Sequence, residues 1–101
     1  MRVDLEFSGA VIEWRGPAPY YFVPLPENEA GVVDDHKSLL TYGWGVIPVA
    51  GRVGRTDFTT SLFPKDGGYL LPLKDAVRRA EGIEQGDVVD LRLTLEISRD
   101  A

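Results

Sequence analysis

The stretch "IPVAGRVGRTDFTTSL", residues 47–62, decides the fold. Two alternating runs flank Gly54-Arg55, and a Gly-X pair suits a two-residue type II′ hairpin turn. That turn sets Val53 against Thr56, Gly51 against Phe58, Val49 against Thr60 and Ile47 against Leu62, a mostly apolar face. The other face then pairs Arg52 with Asp57, Ala50 with Thr59 and Pro48 with Ser61. A slip of one residue would destroy both the charge pairing and the sorting of apolar residues, so the register is strongly specified. Pro48 cannot donate to a ladder and belongs at an edge or a bulge.

Upstream, "RVDLEFSGAVIEW" reads as one strand, with Val3, Leu5 and Phe7 on one face. Beyond Gly9 the parity is contested between Val11 and the trio Ala10, Ile12 and Trp14, which suggests a bulge or bend near Ser8-Gly9. "YYFVPLP" is a second strand, ended by prolines. "ENEAGVVDDHKSLL" reads as a helix, with Val32, Val33, Leu39 and Leu40 as its stripe and His36 on the flank. Downstream, "PKDGGY" is a turn and "YLLPL" a short strand. "PLKDAVRRAEGI" is a short helix, with Leu73, Ala76, Val77 and Ala80 on one side. Gly82 followed by Ile83 matches a left-handed Schellman stop. From Val89 to Ile97 the alternation is the cleanest in the chain.

The order is β-β-α-β-β-β-α-β. Many strands and short helices predict a mainly β, small closed barrel of about six strands, one domain over residues 1–101. "YFVPLP" plus helix plus strand echoes "YLLPLK" plus helix plus strand, as two similar halves of one barrel would.

Composition narrows the function. An apolar content of 44% predicts a packed domain rather than disorder. The chain has no cysteine and one histidine, which rules out thiolate zinc sites, cysteine nucleophiles and all-histidine metal clusters. His36 and its neighbours Asp34 and Asp35 do not converge on a helix, so neither a metal nor a cofactor is expected. A net charge of −5 disfavours nucleic acid as a partner. With no apolar run near the roughly 20 residues of a bilayer span and no signal-peptide pattern, the expected location is cytoplasmic.

The motifs "PVAGRVG", "FTTSLFPKDGGYLLPLKDAVRRAEGI" and "GDVV", with "YYFVPLPE" upstream, resemble an uncharacterised bacterial and archaeal β-barrel family. Its members are often fused to a helical bacteriocin-protection (OmpD-associated) domain. The resemblance implies a closed β-barrel and no established activity. "LPLKDAVRRAEGIEQGDVVDLRL" also looks like one half of the AbrB/MazE-type barrels of transcription factors and antitoxins. A proline-started helix, a glycine stop and a Gly-Asp turn return a chain to a barrel wall with or without DNA binding. From Pro72 to Asp90 there are three positive and five negative side chains, a poor match to a phosphate backbone.

The site residues follow from a surplus of aromatics. Trp14, Tyr20, Tyr21, Phe22, Tyr42 and Trp44 are the aromatics expected to supply a ligand or protein contact, Trp14, Tyr20, Tyr42 and Trp44 foremost, with Arg52, Arg55 and Lys74 as polar rims and Arg78 beside Lys74. Lys74 and Arg78, four apart, share a helix face; Arg78 is expected to pair with a nearby acid such as Asp75 or Asp87. Asp87 reads as a turn-fixing carboxylate. The leading expectation is a non-catalytic module that binds a small molecule or a protein. Its alternatives are an AbrB-like nucleic-acid-binding regulator and a hydrolase using Ser61, His36 and an acid.

Overall fold

In a computed structural model the described residues are 2–14, 20–40 and 47–96. The central hairpin has the register that its turn dictates. Strand β4 (Ile47–Val53) and strand β5 (Thr56–Lys65) pair from Ile47↔Leu62 to Val53↔Thr56. At the turn Gly54 has φ +56°, and Arg55 has no positive φ, as the Gly-X form requires. Arg52 reaches Asp57 at 3.2 Å. Pro48 lies beyond the segment of β4 that pairs on its other side, which starts at Ala50.

Around this hairpin lie β1 (Arg2–Ala10), β2 (Ile12–Trp14), β3 (Tyr20–Pro24), α1 (Glu27–Leu40), β6 (Gly68–Pro72), α2 (Asp75–Glu81) and β7 (Val88–Glu96). The seven strands form one antiparallel sheet in the order β1-β7-β4-β5-β6-β3-β2. The sheet curls into an open half-barrel, which corrects the closed barrel of six strands. The correction has a local cause. The predicted first strand divides at Val11, and its two parts take opposite edges of the sheet. Val11 donates its N–H to the Asp87 carbonyl at 2.9 Å and accepts the Gly86 N–H at 2.9 Å. Its backbone groups are thereby engaged by the turn before β7.

The bend predicted at Ser8-Gly9 is absent, because β1 pairs with β7 without a break from Arg2↔Glu96 to Ala10↔Val88. Odd parity persists instead: Leu5, Phe7 and Val11 are buried, and Ile12 and Trp14 face outward. Gly9 serves close approach. A Cβ there would lie 2.6 Å from Cγ1 of Val23 on β3.

The internal echo is visible in the sheet. Units β3-α1-β4 and β6-α2-β7 place equivalent strands side by side, β3 against β6 and β4 against β7, both antiparallel. The linking hydrogen bonds are reciprocal. Leu25 donates to the Tyr69 carbonyl at 3.0 Å, and Leu73 donates to the Tyr21 carbonyl at 2.9 Å. A local twofold relation between two strand–proline–helix–strand units has this pattern.

Inside the curl, side chains such as Val23, Ile47, Leu62, Leu71, Leu93 and Leu95 are fully buried. Helix α1 adds Val33, and α2 adds Val77. Ala76 and Ala80, expected on the inner side of α2, are exposed. A helix of seven residues turns little surface inward, and Leu73 before it and Ile83 after it supply the remaining contacts. The helix ends as its sequence predicts. Gly82 is left-handed (φ 64°, ψ 36°), and the N–H groups of Gly82 and Ile83 both donate to the Arg78 carbonyl. Nothing lies within 4 Å of a Cβ built on Gly82, so Gly82→Ala costs only backbone strain. We expect it to lower stability by about 1 kcal/mol or slightly more, read from denaturant midpoints. An unchanged midpoint would contradict the left-handed stop.

Two tyrosines tie neighbouring elements together. Tyr69 of β6 donates to Asp34 of α1 at 3.2 Å, and Tyr21 of β3 donates to Glu13 of β2 at 2.9 Å. Burial, with the Asp34 carboxylate nearby, raises the Tyr69 hydroxyl above its ordinary pKa of 10.0. The bond to Glu13 raises Tyr21 in the same direction. The protonated phenols are thus favoured in the native state. Their contribution is complete below about pH 10 and is lost as pH rises through the raised native values. Tyr69→Phe is expected to cost about 1 kcal/mol at neutral pH. It should also flatten the alkaline loss of stability, measured as melting temperature between about pH 8 and pH 11.

Candidate functional site

Strand alternation and proline spacing build a groove at one end of the half-barrel. On β3, Tyr20 and Phe22 lie on the face opposite the core residue Val23. On β5, Ser61 and Phe63 share the outer face. Pro72 pairs with Phe22 at the end of β6, and the chain turns through Leu73 and Lys74 into α2. The resulting groove has a volume of about 660 Å³, with aromatic walls from Tyr20, Tyr21, Phe22 and Phe63 and with Lys74 and Asp75 at its rim. Tyr20 is 62% exposed and Phe63 45%, values that set them apart from core side chains. The rings of Tyr20 and Phe22 are tilted at 41° with centroids 6.4 Å apart.

Polar groups hold the back of the groove. Arg78 stacks over the Tyr21 ring at 3.6 Å and pairs with Asp75 at 2.5 Å. Its role is therefore to fix a wall of the groove, with Asp75, one of the two acids offered by the sequence, as its partner. Lys74 is not on the helix with Arg78. It is the extended residue before α2, and its ammonium donates to the Thr59 carbonyl at 3.1 Å. Among the described residues Lys74 has no carboxylate partner.

The other expected site residues are placed as follows. Trp14 is the cross-strand partner of Tyr20 and is 46% exposed, with the Lys65 ammonium 4.1 Å from its ring. Tyr42 and Trp44 lie outside the described residues. Arg52 is on the outer face of β4, away from the aromatic groove, in a charge ladder. Arg92–Glu6 closes at 2.7 Å and Arg52–Asp57 at 3.2 Å, with Arg52 and Arg92 directly opposite on β4 and β7. Arg55 sits in the hairpin turn, where its N–H donates to Glu81 of α2 at 3.2 Å. Thr56 donates to the same carboxylate at 2.6 Å, so Glu81 fastens the end of α2 to the hairpin. Neither arginine is in the groove lining: Arg52 shares the outer face with Ser61 and Phe63 but sits opposite Asp57 near the hairpin turn, and Arg55 is in that turn.

Asp87 accepts the Glu84 N–H at 2.8 Å and fixes the turn. His36 Nδ1 lies 2.8 Å from the Val32 carbonyl one helical turn back. Ser61 faces outward opposite Pro48, and no hydrogen bond joins it to His36 among the described residues. Tyr21 and Phe22, which the sequence groups with the candidate aromatics, line the groove, and Phe63 is the groove aromatic that sequence reasoning missed. The signal was available: Phe63 lies two residues from Ser61, on the same face of the predicted strand.

Together these features define a small antiparallel half-barrel with an aromatic groove open to solvent. No described helix is long and apolar enough to cross a membrane. The chain belongs to the family described as a domain of unknown function, DUF1905, whose match covers residues 7–93. That match takes in every described strand of the sheet and both helices, β1 and β7 in part. No curated protein matches the chain.

Proposed function

We propose that the protein is a non-catalytic binding module that takes a small molecule in the groove between β3, β5, β6 and the start of α2. One observation carries this reading: three aromatic side chains, Tyr20, Phe22 and Phe63, line an open groove of about 660 Å³ instead of joining the core. Ligand pockets fall in this range of volume and combine apolar walls with a few polar groups at the rim. Lys74 supplies such a group, and Arg78 holds the Tyr21 wall in place. The net charge of −5 weighs against a long phosphodiester backbone as the partner.

A thermal-shift screen against metabolites tests the proposal, since a ligand of the native state raises apparent stability. The expected result is stabilisation by compounds with a flat ring, lost in Tyr20→Ala without a change in the melting temperature of the free protein. Flat results throughout the screen would overturn the small-molecule reading, and a pull-down for a protein partner would follow.

A further inference from the structure

The aromatic groove does not stand alone. A second cavity of about 520 Å³ adjoins it and is lined by Pro48, Thr59, Thr60, Ser61, Phe63 and Lys74. The two share Thr60, Phe63 and Lys74, so they form one site with two chemically different ends. One end is a set of ring faces. The other offers an ammonium and hydroxyl-bearing residues, Thr60 and Ser61 among them.

The distribution of charge at this corner is the second observation. Although acids outnumber bases in the chain, the second cavity has no carboxylate in its lining. The aromatic groove has one, Asp75, and that group is already held by Arg78 at 2.5 Å. Among the described residues the hydroxyls of Thr60 and Ser61 have no hydrogen-bond partner, and the only bond of Lys74 is to the Thr59 carbonyl. An ammonium with no carboxylate partner, in a cavity also lined by Ser61 with its unpartnered hydroxyl, is complementary to an anion.

We infer that the site takes a planar heteroaromatic molecule carrying a phosphate, a nucleotide-class anion, with the ring between Tyr20 and Phe63 and the phosphate at Lys74 and Ser61. The inference rests on the groove being the binding site, and it adds the class of ligand. Ring stacking supplies affinity that tolerates differences between bases, and the corner distinguishes charged from neutral forms. A ring is held by faces and a phosphate by donors, so the two halves of such a ligand match the two ends of the site.

The test titrates the whole protein with adenosine, adenosine 5′-monophosphate and inorganic phosphate, followed by amide and side-chain NMR shifts. The monophosphate is expected to bind about tenfold more tightly than adenosine, as a charge-assisted hydrogen bond implies. Both should shift resonances of Tyr20 and Phe63. Lys74→Met should bring the monophosphate down to the affinity that the same variant has for adenosine. Equal affinities for the two in the wild type would overturn the anion corner and leave the groove reading intact. A preference for the monophosphate that survives in Lys74→Met would overturn the corner in the same way. Shifts confined to Ser61 and Lys74 with phosphate, and no response of Tyr20 or Phe63 to either ring, would overturn the groove reading itself.

Discussion

Leu93→Ala is expected to destabilise the fold by about 3–5 kcal/mol, the cost of a cavity that its surroundings cannot fill. Leu93 is fully buried at the middle of β7, with Leu5 of β1 and Gly51 of β4 as its cross-strand partners. Neither neighbour can collapse into the space easily. Leu5 is fixed by an unbroken ladder of nine pairs, and Gly51 has no side chain to move. Domains of this size have about 5–15 kcal/mol in total, so the loss would remove a large share. Denaturant unfolding should show a lower midpoint with an unchanged slope. A loss below about 1 kcal/mol would mean that β7 is not the centre of the core.

Gly51 carries the second large effect. A Cβ built on it would lie 2.4 Å from Cζ of Phe58 and 2.7 Å from Cε2. The ring of Phe58 lies over the glycine on the neighbouring strand and takes the space that a side chain would use. Gly51→Ala should therefore cost about 2 kcal/mol, the usual penalty for overpacking, because Phe58 must swing away from its half-buried position. Phe58→Leu alone gives up part of the ring's packing. In the double variant the smaller side chain makes room for the new methyl group. The two losses should fall short of additivity by about 1 kcal/mol or more, a coupling that a double-mutant cycle measures directly. Strict additivity would show that ring and glycine do not touch.

The sequence was most legible where two independent signals agreed. At residues 47–62 the period of two and the Gly-X turn specify the same register, and every predicted pair is present. The Schellman stop at Gly82 was readable for the same reason, since a left-handed glycine and a following apolar residue form one local motif. The N-terminal arm misled because Gly9 signals both a bend and a close approach, and only tertiary structure decides between them. Val23 decides it, by sitting where a Cβ would be. Whether the sheet closes is likewise set by partners distant in sequence, here the bonds from Val11 to Gly86 and Asp87.

The site divides along the same line. Tyr20 and Lys74 were readable as an exposed aromatic and a cation near a helix start, and both line the groove. Arg78 was readable as the partner of a nearby acid, Asp75 or Asp87, and the structure gives Asp75, three residues back on the helix. Arg52 and Arg55 suit a polar rim by residue type alone, whereas the hairpin register places them at its turn end, away from the groove. The predicted opposition of Arg52 and Asp57 already contained that answer.

The arrangement of β1 and β7 also governs how the chain acquires its structure. Arg2 pairs with Glu96 and Ala10 with Val88, so one edge of the sheet joins residues 78 to 94 apart in sequence. The entropy of closing so large a loop must be met before that ladder returns any stability. The β4–β5 hairpin needs only a two-residue turn, so its ladder carries a far smaller closure cost. During synthesis the β1 segment leaves the ribosome long before β7 exists, and at about 5–20 residues per second it waits several seconds unpaired. Its alternating charges Arg2, Asp4 and Glu6 flank the apolar positions throughout that interval. Charges placed this way discourage a waiting strand from pairing with another chain.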